Sequence, residues 1–254
     1  MLVASPRFQI PLNPPFLKGE ISHNDLDGTT IKAAKIYKTG GLRMGGNMAY
    51  GKFVTYEEVA AKFKIKLVEL SFLQEREIII KEDIFNVIKE NLELRRNYVN
   101  EYVICESIIF PILSVVSKHN NLPLWSHMRF DVSEEEGLSG VPDYIIAPAS
   151  DIGTTFEKPV ICVSEAKKDN FNEGWAQALA EMIAAQRFNQ DEQTEIFGIV
   201  TTGNFWQFGK LKKNILTMEI ISYSAIENIQ KLFNILNWLF YEAGSNILKI
   251  QNKA

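Results

Sequence analysis

The stretch Pro159-Val160-Ile161-Cys162-Val163-Ser164-Glu165-Ala166-Lys167 opens on a proline, runs through β-branched apolar residues and ends in charge. That is the pattern of a buried strand emerging from a core. Side chains alternate along a strand, so Glu165 and Lys167 share one face while Ala166 and Lys168 take the other. A carboxylate beside an ammonium is commonly no more than an ion pair at a surface, and Glu-x-Lys alone specifies no chemistry. The upstream segment Gly140-Val141-Pro142-Asp143-Tyr144, which opens a second short apolar run, changes this. If the two strands are neighbours, Asp143 and Glu165 can share one divalent cation. Hard oxygen ligands of this kind suit Mg²⁺ or Mn²⁺.

Working outward, Gly174–Asn189 has helical periodicity with Leu179, Met182, Ile183 and Gln186 on one side. Glu195–Thr201 and Phe205–Lys210 read as strands around a Thr202-Gly203-Asn204 turn, Ile215–Ile221 as another strand, and Ala225–Glu242 as a closing helix. Upstream, Pro123–Asp131 and Pro142–Ala147 are strands around the acidic turn Glu134-Glu135-Glu136. A helix spans about Asn97–Lys118 with Ile104, Ile108, Ile112 and Val115 as its apolar stripe. Thr55 and Glu58 form a capping-box start for a helix through Lys64, and Asp83–Asn91 is helical. The order α-β-β-β-α-β-β-α implies an α/β fold with a mixed central sheet flanked by helices. Three regions are expected: an irregular, disordered segment over 1–50, rich in glycine and proline; a helical extension over 51–96; and a core over 97–254.

Composition excludes little. The net charge of −4 is not that of a basic nucleic-acid coat protein, but a carboxylate metal site needs acids of its own. The longest apolar run, Tyr102–Val116, is interrupted by Glu106 and Pro111, so no membrane span is expected. No signal peptide is read. Cys105 and Cys162 stand in apolar surroundings, as small core residues of a cytoplasmic protein would.

Four residues carry the predicted chemistry. A cation on Asp143 and Glu165 would polarise a phosphoryl oxygen and help generate hydroxide from water. Lys167 would orient that water or stabilise charge in the transition state. Glu106 is the third acid, a carboxylate in an otherwise apolar helix that needs a compensating partner, although a salt bridge at the helix edge would satisfy it equally. Lys168 is the best added candidate for phosphate contact. Arg129 reads either as a phosphate contact or as an ion pair on the sheet. Gln177 reaches either the metal site or solvent. Gln186, on the apolar stripe, must find a hydrogen-bond partner. Trp206 and Phe208 share a strand face and pack against a helix, with base stacking the lesser alternative.

Glu106 on a helix, Pro142-Asp143, then Glu165-Ala166-Lys167 resembles the PD-(D/E)xK nuclease superfamily, whose fold is restriction-endonuclease-like. Gln177 on the following helix resembles that superfamily's exonuclease branch, although the tyrosine usual one turn later is here Glu181. Val200–Trp206 resembles the strand-turn-strand of restriction-enzyme nuclease modules. Cys105-Glu106, Phe110-Pro111-Ile112-Leu113 and Glu165–Asp169 resemble a mainly cyanobacterial group within the superfamily. The resemblance covers about Asn97–Ile221. It implies a Mg²⁺- or Mn²⁺-dependent nuclease acting on nucleic acid, with DNA the expected partner, in defence or repair. In that setting Asp143, Glu165 and Glu106 are metal ligands, and Gln177, Lys168 and Arg129 contact substrate. Two other readings stand beside it: a catalytically silent module of the same fold that binds DNA or a protein, and a regulatory protein whose acids form surface ion pairs.

Overall fold

The capping box predicted at Thr55 forms. In the computed structural model, which describes residues 49–251, Thr55 caps α1 (Tyr56–Phe63). Thr55 Oγ1 accepts the Glu58 amide at 3.3 Å, while Glu58 Oε2 accepts the Val54 amide at 3.0 Å. Next come β1 (Lys66–Glu69) and α2 (Glu82–Glu93). Then α3 (Glu101–Ile104) passes through a π-helical turn (Cys105–Ile109) into α4 (Phe110–His119). Pro111 has no N–H for the helical ladder, and the wider turn before it absorbs that loss.

The strands β2 (Leu124–Ser126), β3 (Phe130–Ser133), β4 (Leu138–Gly140), β5 (Tyr144–Ile146) and β6 (Cys162–Ala166) precede α5 (Phe171–Asn189). After it come β7 (Ile196–Thr201), β8 (Phe205–Lys212), β9 (Ile215–Met218), β10 (Tyr223–Ser224) and α6 (Ile229–Gln251). The main sheet is mixed, in the order β1-β9-β8-β7-β6-β5-β2, with β10 beside β8 and a separate β3-β4 ribbon. β6 is central and buried throughout, parallel to β7 and antiparallel to β5. Burial on both faces explains the unbroken apolar run before Ser164. Ile104, Ile108, Ile112, Trp206, Phe208, Leu236 and Phe240 form the core on one side of the sheet. On the other, α5 packs with Val163, Ile145 and the α1 residue Val59.

Several expectations change. The stretch 51–96, expected as a helical extension, contributes β1 to the sheet edge, paired parallel with β9. Its four residues are all exposed and too few to show a period. Pro123–Asp131 is not one strand, because His127 stands at φ 50° between β2 and β3. His127 and Arg129, two residues apart, therefore do not share one strand. β4 and β10 were not anticipated. Gln186 is buried, and its Nε2 has no hydrogen-bond partner among the described residues. Residues 1–48 of the expected irregular segment lie outside the described residues. Tyr50, at its end, is buried and its hydroxyl donates to Phe130 O at 2.8 Å. Glu101–His119 is long and apolar enough to cross a membrane by length and composition, despite Glu106 and Pro111. Of its expected stripe, Ile104, Ile108 and Ile112 are nevertheless buried in the core and Val115 is half-buried against it, with Val116 the fully buried neighbour, as in a core helix.

The predicted Thr202–Asn204 turn joins β7 to β8. Gly203 adopts φ 83°, and a Cβ there would lie 2.8 Å from Ile104 Cγ2. Gly203→Ala is expected to destabilise the protein by about 1–3 kcal/mol, from left-handed strain plus overpacking. Urea unfolding monitored by tryptophan fluorescence measures it.

Candidate metal centre

Pairing of β5 with β6 sets Tyr144 opposite Ser164 and Ile145 opposite Val163. The next pair outward is Asp143 and Glu165. Ile145 and Val163 face α5, and strand side chains repeat every second residue, so Glu165 faces α5 as well, while Asp143 sits one residue before β5. Asp143 Oδ2 accepts the Ala166 amide at 2.8 Å, which ties the two strand ends together. The Lys167 amide donates to Thr201 O at 2.9 Å, extending the β7 ladder one residue beyond β6. Lys167 Nζ then stands 3.8 Å from Glu165 Oε2. Lys167 also lies under α5, whose Gly174 permits the close approach. A Cβ at Gly174 would lie 2.5 Å from Val200 Cγ1 and 3.1 Å from Lys167 Cγ.

The third carboxyl comes from α5. Glu181 is buried and shares a hydrogen bond with Glu165. Gln177, four residues earlier, occupies the same helix face. Glu181 Oε2 and Gln177 Oε1 are buried and accept no hydrogen bond among the described residues. Burial pushes Glu165 up to about 8, with Asp143 adding to the effect, while Glu181 and Lys167 oppose it. Glu181 is pushed well above the usual carboxylate range by burial and then by Glu165. Asp143 is raised by burial, against the opposing Ala166 amide, Lys167 and His127. Burial disfavours the Lys167 charge, but Glu165, Glu101, Asp143 and Glu173 outweigh it and hold its pKa above the ordinary value. Three carboxyls raised by burial beside a lysine held charged form a site that a divalent cation would discharge.

The remaining predicted residues are placed differently. Glu106 is exposed on the π turn. The acid from this helix that acts on Asp143 and Lys167 is Glu101, whose Oε1 also accepts the Lys168 amide at 3.3 Å. Glu106 is two residues from both Ile104 and Ile108, roughly 200° round the helix, whereas Glu101 is three and seven residues away and falls on their side. That spacing was the available signal for Glu101. Lys168 is exposed and lies beyond the end of β6 at Ala166, whereas Lys167 is buried. Arg129 is ion-paired with Asp131 and lies 3.8 Å from Glu134, the ion-pair alternative. Trp206 and Phe208 are fully buried, which leaves no face for a base. Cys105 and Cys162 are buried free thiols.

Glu181 was not expected as a site residue, although it lies one helical turn after Gln177, on the face away from the Leu179 stripe. The acids fit a hard cation: Asp143, Glu165 and Glu181 supply carboxyl oxygens, and the orphaned Gln177 Oε1 belongs to the same donor class. The chain matches no family model, and no curated protein matches it significantly.

Proposed function

We propose that this protein is a Mg²⁺- or Mn²⁺-dependent nuclease that hydrolyses phosphodiester bonds in DNA. The observation that carries the reading is Asp143 and Glu165 side by side on paired strands, with Lys167 Nζ 3.8 Å from Glu165. A cation held by Asp143, Glu165 and Glu181 would supply Lewis-acid polarisation of the phosphoryl group. Lys167, desolvated and held charged, stabilises the negative charge that develops at phosphorus. Asp143, half-buried at the solvent edge, is the point where substrate meets the cluster. Exposed Lys168, next along the chain, attracts the flanking backbone of the nucleic acid. A mixed sheet flanked by helices, with the acids on a helix and two paired strands, supports the restriction-endonuclease-like version of this fold.

The burial of Lys167 and Glu165, 8% and 4% exposed, favours a second reading: a silent module of the same fold that binds DNA or a protein. Incubation with linear, circular and single-stranded DNA in Mg²⁺ or Mn²⁺ separates the two. Cleavage is expected in the wild type, absent with EDTA and lost in Asp143→Ala. A melting temperature that rises with Mg²⁺, without cleavage of any substrate, would favour the silent module. With neither response, the metal site itself falls.

A further inference from the structure

On the solvent side of Asp143 lies a donor set of different chemistry. Cys105 on the π turn, His127 between β2 and β3, and Asp143 before β5 each place one ligand atom within 4.8 Å of the other two. His127 Nδ1 is 3.6 Å from Asp143 Oδ1. Donors around a tetrahedral Zn²⁺ with bonds of about 2.0–2.3 Å stand roughly 3.3–3.8 Å apart, so this edge already has the required length.

Contacts elsewhere hold the three elements together. The His127 amide donates to Asp143 O at 3.0 Å, and the Tyr144 hydroxyl donates to Cys105 O, also at 3.0 Å. The Ala166 amide occupies Asp143 Oδ2 and leaves Oδ1 toward His127. Such outer contacts orient ligands before a metal arrives. A Cys-His-Asp arrangement also suggests a nucleophilic thiol, but Cys105 is only 2% exposed and no substrate carbon could reach it. A small ion can, because the His127 side chain is 42% exposed and opens the cluster to water.

We infer that Cys105 Sγ, His127 Nδ1 and Asp143 Oδ1 form a second cation site, selective for a borderline transition ion such as Zn²⁺. Sulfur and imidazole donors favour Zn²⁺ over Mg²⁺, and the carboxylate and open fourth position complete a tetrahedron. On binding, the Cys105 thiol releases its proton to solvent and the ion takes its place. Asp143 belongs to both sites, so Zn²⁺ on Oδ1 weakens the hold of the acid cluster on Mg²⁺. That consequence rests on the nuclease reading; the site itself does not.

Co²⁺ is the probe, because its near-ultraviolet thiolate charge-transfer band reports sulfur ligation directly. The full-length protein with one equivalent of Co²⁺ should show that band, with the visible bands of a tetrahedral ion, and Zn²⁺ should bleach both. Cys105→Ser should abolish the near-ultraviolet band, and Glu181→Gln should keep it. His127→Ala, checked for folding by circular dichroism, should weaken Co²⁺ binding by more than the roughly 10–100-fold typical of losing an outer contact. A wild type without the band, a band that survives Cys105→Ser, or unchanged affinity in His127→Ala each overturns the site. DNA cleavage tests only the nuclease reading, so a cobalt band in a protein that cleaves nothing still supports the site.

Discussion

Lys167→Met is expected to lower kcat for Mg²⁺-dependent DNA cleavage by roughly 10²–10³-fold, the usual cost of removing one preorganised electrostatic donor. The acids remain, so metal binding should persist, and loss of the neighbouring charge should tighten it. Lys168→Met should leave kcat near wild type, raise KM and reduce the salt dependence of binding, as loss of one phosphate contact does. The contrast follows from placement: Lys167 Nζ is 3.8 Å from Glu165 Oε2 under α5, whereas the Lys168 side chain is exposed. Steady-state kinetics at two salt concentrations separate the two roles. The reverse pattern, with Lys168→Met lowering kcat and Lys167→Met sparing it, would move the reacting phosphate to the other side of the strand.

Without divalent metal, stability should fall as pH rises from about 5 to 8. In the unfolded chain the carboxyls ionise near 4.5, while folding raises Glu165 to about 8 and Glu181 well above its ordinary value. Between those pH values the folded protein binds more protons than the unfolded one, so raising the pH favours unfolding. The loss is on the order of a few kcal/mol. Mg²⁺ opposes it by favouring the ionised carboxyls, and the rise in Tm it produces should be larger at pH 8 than at pH 5. Glu181→Gln removes one of the raised carboxyls while leaving an amide to bond Glu165. It should stabilise the metal-free protein at pH 8, flatten the slope and weaken the Mg²⁺ response. Calorimetry in EDTA and in Mg²⁺ at both pH values provides the check. An unchanged slope in Glu181→Gln would show that the Glu165–Glu181 pair is not its source.

The sequence by itself determined what depends on local period and turn chemistry. Thr55 caps α1, the Thr202–Asn204 turn joins β7 to β8, and the apolar run from Val160 leads into β6. Because a strand repeats every second residue, Glu165 and Lys167 had to share a face once that stretch was a strand. Only the tertiary structure decided which other groups meet them. β1 joins the sheet through pairing with β9, a contact its own short exposed sequence does not encode. His127 leaves the expected strand in a left-handed conformation, which brings it beside Asp143 rather than Arg129. Glu181 shares a helix face with Gln177, but only sheet packing turns that face toward Glu165. A helix period shows which residues lie together on a helix, but not what that helix is pressed against. The partners of Asp143 and Glu165 therefore came from long-range packing, where a carboxylate at the edge of an apolar stripe, Glu101, reaches the site and the more conspicuous Glu106 turns outward.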